Sequence, residues 1–375
     1  MKFTASLKLS DFDYQLPKEL IAQSALIERA NAKLMVLNRS SQSIEHREFR
    51  DIESYLEKGD VLVLNDTKVV PARLFAKKKM GGKVEILVLG SSSPFMGEDK
   101  GGGKISPHPS LPPQGGKECL ALIKPSGRVK AGEELLLIDS DQITIRVLNA
   151  PDHQTGIRYI EFLGAKNPTT VLEKFGRIPL PPYIDREDSQ IDRELYQTVF
   201  AKKLGAVASP TAGLHFDEAL LEKIEAKGVE ILFVTLHVGY GTFQPVAVDD
   251  LTRHKMHEEY FYISDEVAER INFAKSDGRR VIACGTTALR ALESSATSSM
   301  PAEVKAIEGM TNLFIYPPYE FKIVDVMITN FHLPKTTLLM LASAFAGQEF
   351  LMRAYQKAIK HKYRFFSYGD AMLIV

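Results

Sequence analysis

The 375-residue sequence predicts a large mixed α/β domain, residues 1–68 and 163–375, carrying an inserted small antiparallel β-barrel domain, residues 69–162. Three observations predict it. From Gly205 onward, short apolar runs alternate with helix-patterned stretches, the pattern of a largely parallel sheet with helices on its faces. Between Lys83 and Phe162, β-patterned pieces follow one another with no long helix between them, which suits a small barrel or sandwich. The length exceeds what one simple core holds, so one domain set inside another is expected.

In chain order, residues 10–30 (SDFDYQLPKELIAQSALIERA) read as a capped turn followed by a short helix. LMVLNR and DVLVLNDTKVVPARLFAKK supply compact β-runs, with Gly59-Asp60 as the turn before Val61, and these strands are expected to join the large sheet. VEILVLG, ECLALIKP, ELLLI, QITIRVLN and RYIEFL are the barrel strands. Within them, 91–117 is rich in Gly, Pro and Ser, has almost nothing to bury, and predicts a flexible loop. PLPPYIDRE, 179–187, is an extended segment stiffened by proline. Then GAVA reads as a strand, residues 218–227 as a helix stopped by Gly228, and EILFVTLHV as the next strand. A helix capped by Ser264 and stopped at Gly278, the strand RVIACG, the helix ALRALESS and the strand KIVDVMITNF follow, before one long apolar helix from Thr337 to Ile359.

Forty-seven basic residues balance forty-seven acidic ones, so whole-molecule charge points to no polyanionic partner and any nucleic-acid contact must come from local patches. Such patches are Lys77–Lys79 with Lys83, the aromatic and basic residues of 179–203, and KAIKHKYRFFSYGD at 357–370. Two distant cysteines, Cys119 and Cys284, fit neither a disulfide framework nor a paired metal site. With no signal-like or membrane-spanning apolar run, a cytoplasmic protein with no membrane attachment is expected.

Four polar loops fall at the predicted C-terminal ends of strands: SPTAGLH after GAVA, GYGTF after FVTLHV, TTALR after VIACG, and HLPKTT after VMITNF. Ligands of open α/β sheets bind beyond those ends, where loops converge and helix N-termini point free N–H groups outward. Five of the nine histidines lie in or beside these loops: His215, His237, His254, His257 and His332. Each piece also has a plainer reading. SPTAG makes a good tight turn, Gly285-Thr286-Thr287 a simple helix cap, and RHKMHEE a polar surface face rather than a metal site. No G-x-G-x-x-G, P-loop or G-x-S-x-G pattern occurs, which removes support from nicotinamide, ATP and serine-hydrolase chemistry.

Together, LSDFDYQLPKELIAQ, LVLNDTKVVPARL, GRIPLPPYIDR, YQTVFA, SPTAGLHF, VTLHVGYGTFQPV, HKMHEEYF, GTTALRALES, ITNFHLPKTTLLML and YRFFSYGDAML closely resemble the S-adenosylmethionine:tRNA ribosyltransferase-isomerase family. The similarity runs in order along nearly the whole chain. It implies a large mixed α/β domain with a small β-barrel and a step of queuosine biosynthesis. In that step the ribosyl part of S-adenosylmethionine moves to 7-aminomethyl-7-deazaguanine at the wobble position of a tRNA and isomerises, giving epoxyqueuosine, adenine and methionine. Beyond S-adenosylmethionine as donor, it implies no cofactor and no metal, tRNA as partner, and a monomer. Two departures stand out: the 91–117 segment is longer than the family's barrel loop, and Pro318 replaces an expected glycine.

The chemistry must remove a proton beside a sulfonium sulfur, expel adenine and admit an amine, so it needs a base, an acid and dry, oriented contacts. His215 or His237 is the candidate for proton transfer, with Thr211, Gly213, Gly239 and Gly241 shaping a nucleoside pocket. Glu258 or Asp370 is placed to hold positive charge. Thr286, Arg290, Asn330 and His332 are candidates for the methionine carboxylate and ribose hydroxyls, and Arg177, Tyr183 and Arg186 for the nucleotide or its phosphates. A non-catalytic tRNA-binding module is the rival reading, and a hydrolase or another methionine-derived transferase a third.

Overall fold

The protein is described from a computed structural model covering residues 7–91, 118–149, 156–243 and 246–375. Its strands in chain order are β1 (Lys33–Asn38), β2 (Ser43–Glu48), β3 (Val61–Asn65), β4 (Thr67–Val69), β5 (Arg73–Lys78), β6 (Lys83–Ser91), β7 (Glu118–Lys124), β8 (Glu134–Leu137), β9 (Thr144–Val147), β10 (Ile157–Leu163), β11 (Lys203–Ala206), β12 (Glu230–Leu236), β13 (Glu259–Ile263), β14 (Val281–Cys284), β15 (Ile307–Thr311), β16 (Val326–Asn330) and β17 (Ala371–Ile374). The helices are α1 (Pro168–Phe175), α2 (Asp192–Leu195), α3 (Glu218–Ala226), α4 (Asp265–Ser276), α5 (Gly285–Ser295), α6 (Thr337–Ala346) and α7 (Gln348–Lys360).

A nine-stranded sheet, ordered β15-β13-β12-β3-β14-β16-β17-β1-β2, forms the large body. Its centre, β12, β3, β14 and β16, is parallel throughout. β3, β14 and β16 are buried at every residue, as strands covered on both faces must be, and so they read as unbroken apolar runs. Alternation splits them between two cores. Val61, Val63, Val281, Ala283 and Met327 join the larger core with α5, α6 and α7, while Leu62, Leu64, Ile282, Cys284 and Ile328 join α3 on the other face. Of the N-terminal strands, β1 and β3 belong to this sheet as expected, and β2, which lies outside the expected β-runs, joins its edge beside β1.

A closed barrel of six antiparallel strands, β10-β7-β6-β5-β8-β9, forms the second body. Leu74, Ala76, Ile86, Ala121, Ile145 and Phe162 are among the side chains that fill it. Of the 91–117 segment, expected to be a flexible loop, residues 92–117 lie outside the described residues.

Four expectations need correction. The sheet is mixed rather than largely parallel, because β17 returns antiparallel to β16 and the β13–β15 edge is antiparallel. β11 pairs instead with β4 in a separate two-stranded sheet. Residues 10–30 form short 3-10 turns with no α-helix: Leu9–Phe12, Lys18–Leu20 and Arg29–Asn31. The apolar stretch from Thr337 is two helices, because Gly347 adopts φ +87°, which ends α6 and starts α7.

Candidate active site

The parallel centre of the sheet brings the ends of β14 and β16 to one rim. β14 turns directly into α5 through Gly285 at φ +88°, and β16 ends at Asn330, two residues before His332. The 3-10 turn Thr211–His215, at the start of SPTAGLHF, packs against them although its strand lies in the other sheet. Ser209, Thr211, Thr286, Thr287, Arg290, Asn330 and His332 line a cavity of about 70 Å³, closed on one side by Tyr183, Phe366 and Ser367. A second cavity of about 340 Å³ adjoins it, lined by Gly241, His254, His257, Phe314 and Leu341 among others. Glu259, Arg290 and Leu338 wall both.

Asn330 ties the rim together. Its Nδ2 donates to His215 Nε2 at 3.2 Å and to the Phe366 carbonyl at 3.2 Å, while its Oδ1 accepts from Thr211 Oγ1 at 3.3 Å. His215 is buried, and burial, reinforced by Arg364 and Arg29, pushes its pKa down to about 3. Its imidazole is therefore neutral at pH 7, with Nε2 free of a proton to accept from the amide. Burial likewise pushes His332 down to about 3, and its Nε2 is hydrogen bonded to Thr329 Oγ1 at 3.0 Å. Tyr14 and Tyr355 fix its backbone, the one donating to its carbonyl and the other accepting its N–H.

Arg290 is 6% exposed. Its Nη1 pairs with Glu259 Oε2 and its Nε donates to the Leu313 carbonyl at 3.0 Å. Glu259 in turn accepts from the Gly239 N–H at 3.0 Å. Four polar atoms of cavity-lining residues, Arg290 Nη2, Ser209 Oγ, Thr287 Oγ1 and the Tyr196 hydroxyl, are buried and make no hydrogen bond among the described residues. Folded proteins leave few such groups, and a cluster of them in one cavity marks a place for a polar ligand.

Thr211, Tyr183, Thr286, Arg290, Asn330 and His332 thus meet in one cavity, and Gly241 lines its neighbour. Other predicted residues stand elsewhere. His215 lies behind Asn330, lining a small separate cavity with Arg29 and Arg364. His237 packs flat on Tyr260, ring centres 5.3 Å apart, and is hydrogen bonded to Thr67 Oγ1 at 2.7 Å. Gly213 faces Phe200 and Thr198. Gly239 contributes its N–H to Glu259, while Glu258 is exposed. The Asp370 carboxylate accepts the N–H groups of Lys33 and Arg364, a bracing role between β1 and the chain before β17. Arg177 and Arg186 face the barrel side, the first near Asp188 and the second forked onto Asp192 at 2.7 Å.

Sequence reasoning missed Glu259 and Ser367. The strand EYFYI alternates buried and half-buried residues, so its period of two places Glu259 inward with Phe261 and Ile263; that was the available signal. Among the described residues, no group of three or more His, Cys, Asp or Glu side chains is placed to hold a metal ion. Nor is any helix of the described residues long and apolar enough to cross a membrane.

A mixed α/β body with a crevice at its strand-end rim, lined by Thr211, Thr286, Asn330 and His332 and by the buried Arg290–Glu259 pair, is the architecture of an enzyme acting on a small polar molecule. The chain matches the family described as queuosine biosynthesis protein over residues 9–374. It is 50% identical to the S-adenosylmethionine:tRNA ribosyltransferase-isomerase of Sulfurihydrogenibium sp. strain YO3AOP1, covering 98% of this chain and all of that one. It is 47% identical to the proteins of the same name from Thermotoga petrophila and Thermotoga maritima, with the same coverage. A crystal structure described as S-adenosylmethionine tRNA ribosyltransferase from Thermotoga maritima aligns with TM-score 0.53 and 37% identity over 97% of this chain and all of that one. The chain belongs to this family of queuosine biosynthesis enzymes, and it is a transferase.

Proposed function

We propose that the protein transfers and isomerises the ribosyl moiety of S-adenosylmethionine onto 7-aminomethyl-7-deazaguanine at the wobble position of tRNA, yielding epoxyqueuosine-tRNA, adenine and methionine. The relatives' names supply the donor and the acceptor class. What supports the reading in this chain is the cavity in which Thr211, Asn330, His332 and Arg290 converge with four buried, unpartnered polar atoms. The charge of the site also suits the donor. Arg290 is balanced by Glu259, and His215 and His332 are neutral, so no uncompensated cation among these three opposes a sulfonium.

In this reading His332, whose side chain lines the cavity, is the histidine able to meet the donor. His215 acts through Asn330: by accepting from Nδ2 it turns Oδ1 toward Thr211. The larger adjoining cavity, bordered by Phe314 and His254, gives an aromatic wall on which a nucleobase can stack. The rival reading, a non-catalytic tRNA-binding module, leaves the unpartnered atoms unexplained.

The test is to incubate the purified protein with S-adenosylmethionine and a tRNA bearing 7-aminomethyl-7-deazaguanine, following adenine and methionine release and the mass of the modified nucleoside. Stoichiometric release with an epoxyqueuosine mass is expected. Salt-dependent tRNA binding with no product would give the rival the stronger claim.

A further inference from the structure

Resting on the proposed donor, we infer that the N-terminus of α5, with Arg290 Nη2, Ser209 Oγ and Thr287 Oγ1, is a carboxylate subsite that holds the amino-acid end of the sulfonium substrate. α5 is an 11-residue helix whose N-cap, Cys284, offers no side-chain hydrogen bond and whose first turn carries no acidic residue. The first N–H groups of a helix have no partner within it, and its dipole favours an anion there. On α3, α4 and α6 the corresponding end is closed by a side chain, Asp217, Ser264 and Thr336 each accepting from a first-turn N–H, whereas α7, like α5, has no capping side chain but carries Glu349 in its first turn.

The independent sign of a ligand is the set of donors aimed at the same cavity. Arg290 lies three residues after Thr287, so both side chains leave the same face of α5. Two of the three guanidinium nitrogens are spoken for, by Glu259 and the Leu313 carbonyl, which fixes the plane of the group; Nη2 is buried and left over. Ser209 Oγ reaches the cavity from the loop opposite, buried and without a partner. A guanidinium edge, two hydroxyls and a helix N-terminus match the two oxygens of a carboxylate. Because Glu259 already balances Arg290, the site suits a monoanion better than a phosphate. The same contacts hold the carboxylate of methionine once the sulfur has been released.

The experiment is isothermal titration of the full chain with S-adenosylmethionine, with its decarboxylated analogue, which keeps the sulfonium and nucleoside, and with L-methionine. The native protein should bind S-adenosylmethionine roughly 10- to 100-fold more tightly than the decarboxylated analogue, the size of one or two hydrogen bonds to a charged group. Ser209→Ala and Arg290→Lys should shrink that ratio toward one, by weakening S-adenosylmethionine and leaving the analogue unchanged. L-methionine should compete with the donor in the native protein and much less in the variants. The ratio, unlike a single affinity, is insensitive to a fraction of misfolded variant, and Ser209→Ala leaves the Arg290–Glu259 pair intact. Equal binding of the two donors to native protein would overturn the subsite while sparing the functional reading. Failure of S-adenosylmethionine to bind at all would remove both. Unchanged ratios in the variants with weakened tRNA binding would assign the donors to a phosphate instead.

Discussion

Asn330 donates to His215 across 3.2 Å and so joins the end of β16 to the 3-10 turn Thr211–His215, residues 115 apart in the chain. The contact requires His215 Nε2 to be unprotonated, and burial of the ring secures that, with Arg364 and Arg29 adding to it.

That requirement sets a pH dependence. His215 and His332 have folded pKa values near 3, below the ordinary 6.5, so between those values the unfolded chain binds more protons and stability falls as pH is lowered. Each contributes a slope of up to about 1.4 kcal/mol per pH unit in that window. Asp66, Asp188 and Asp370, whose carboxyls burial raises, act in the opposite sense, so the difference between variants is the clean measure. Urea unfolding of native protein and His215→Gln from pH 7 to pH 4 should show a shallower decline in the variant by about one proton. Parallel curves would mean that His215 titrates normally.

Glu258 and Glu259 are adjacent in sequence and opposite in surroundings. Removing one partner of a buried pair leaves the other charge stranded, at a cost of about 3–5 kcal/mol, whereas an exposed change is worth about 0.5 kcal/mol or less. Chemical denaturation should therefore find Glu259→Gln strongly destabilised and Glu258→Gln close to native.

Asp192 clamps the proline-rich segment against the crevice wall. It accepts two bonds from Arg186, two from Ser189 and one from the Tyr368 hydroxyl. Burial alone would raise its carboxyl; those donors outweigh burial and hold it well below the usual range. Asp192→Asn should cost about 2–3 kcal/mol, tempered by the partial exposure of Arg186, and should lower turnover through Tyr183 and Ser367. Steady-state kinetics beside thermal unfolding will separate the two effects. Native turnover in a destabilised Asp192→Asn protein would mean that the clamp serves stability alone.

Gly205 lies against the His237 ring, and a Cβ there would fall 2.6 Å from Nε2. Gly205→Ala should push the imidazole off Tyr260 and Thr67 at about 1–3 kcal/mol, the usual cost of overpacking. A native melting temperature in this variant would show that the ring has room to move.

The sequence by itself determined the two-body plan, the central strands of the large sheet and the barrel strands, and the rim on which the polar loops gather, because burial on both faces, closure of a barrel and a helix start each leave a local pattern in the residues; the sheet's strands β2, β13, β15 and β17 were not among those expected. It also carried the family, since long motifs persist whatever they touch. Tertiary structure alone decided which polar side chain faces which cavity. His215 and His237, alike in the sequence, are both turned into packing, one behind Asn330 and the other onto Tyr260, while His332 meets the open space. β11 left the main sheet for β4, and Gly347 broke one apolar run into two helices. The His215–Asn330, His237–Thr67 and β11–β4 contacts join residues more than a hundred positions apart, and such contacts leave no period or spacing in the chain to read.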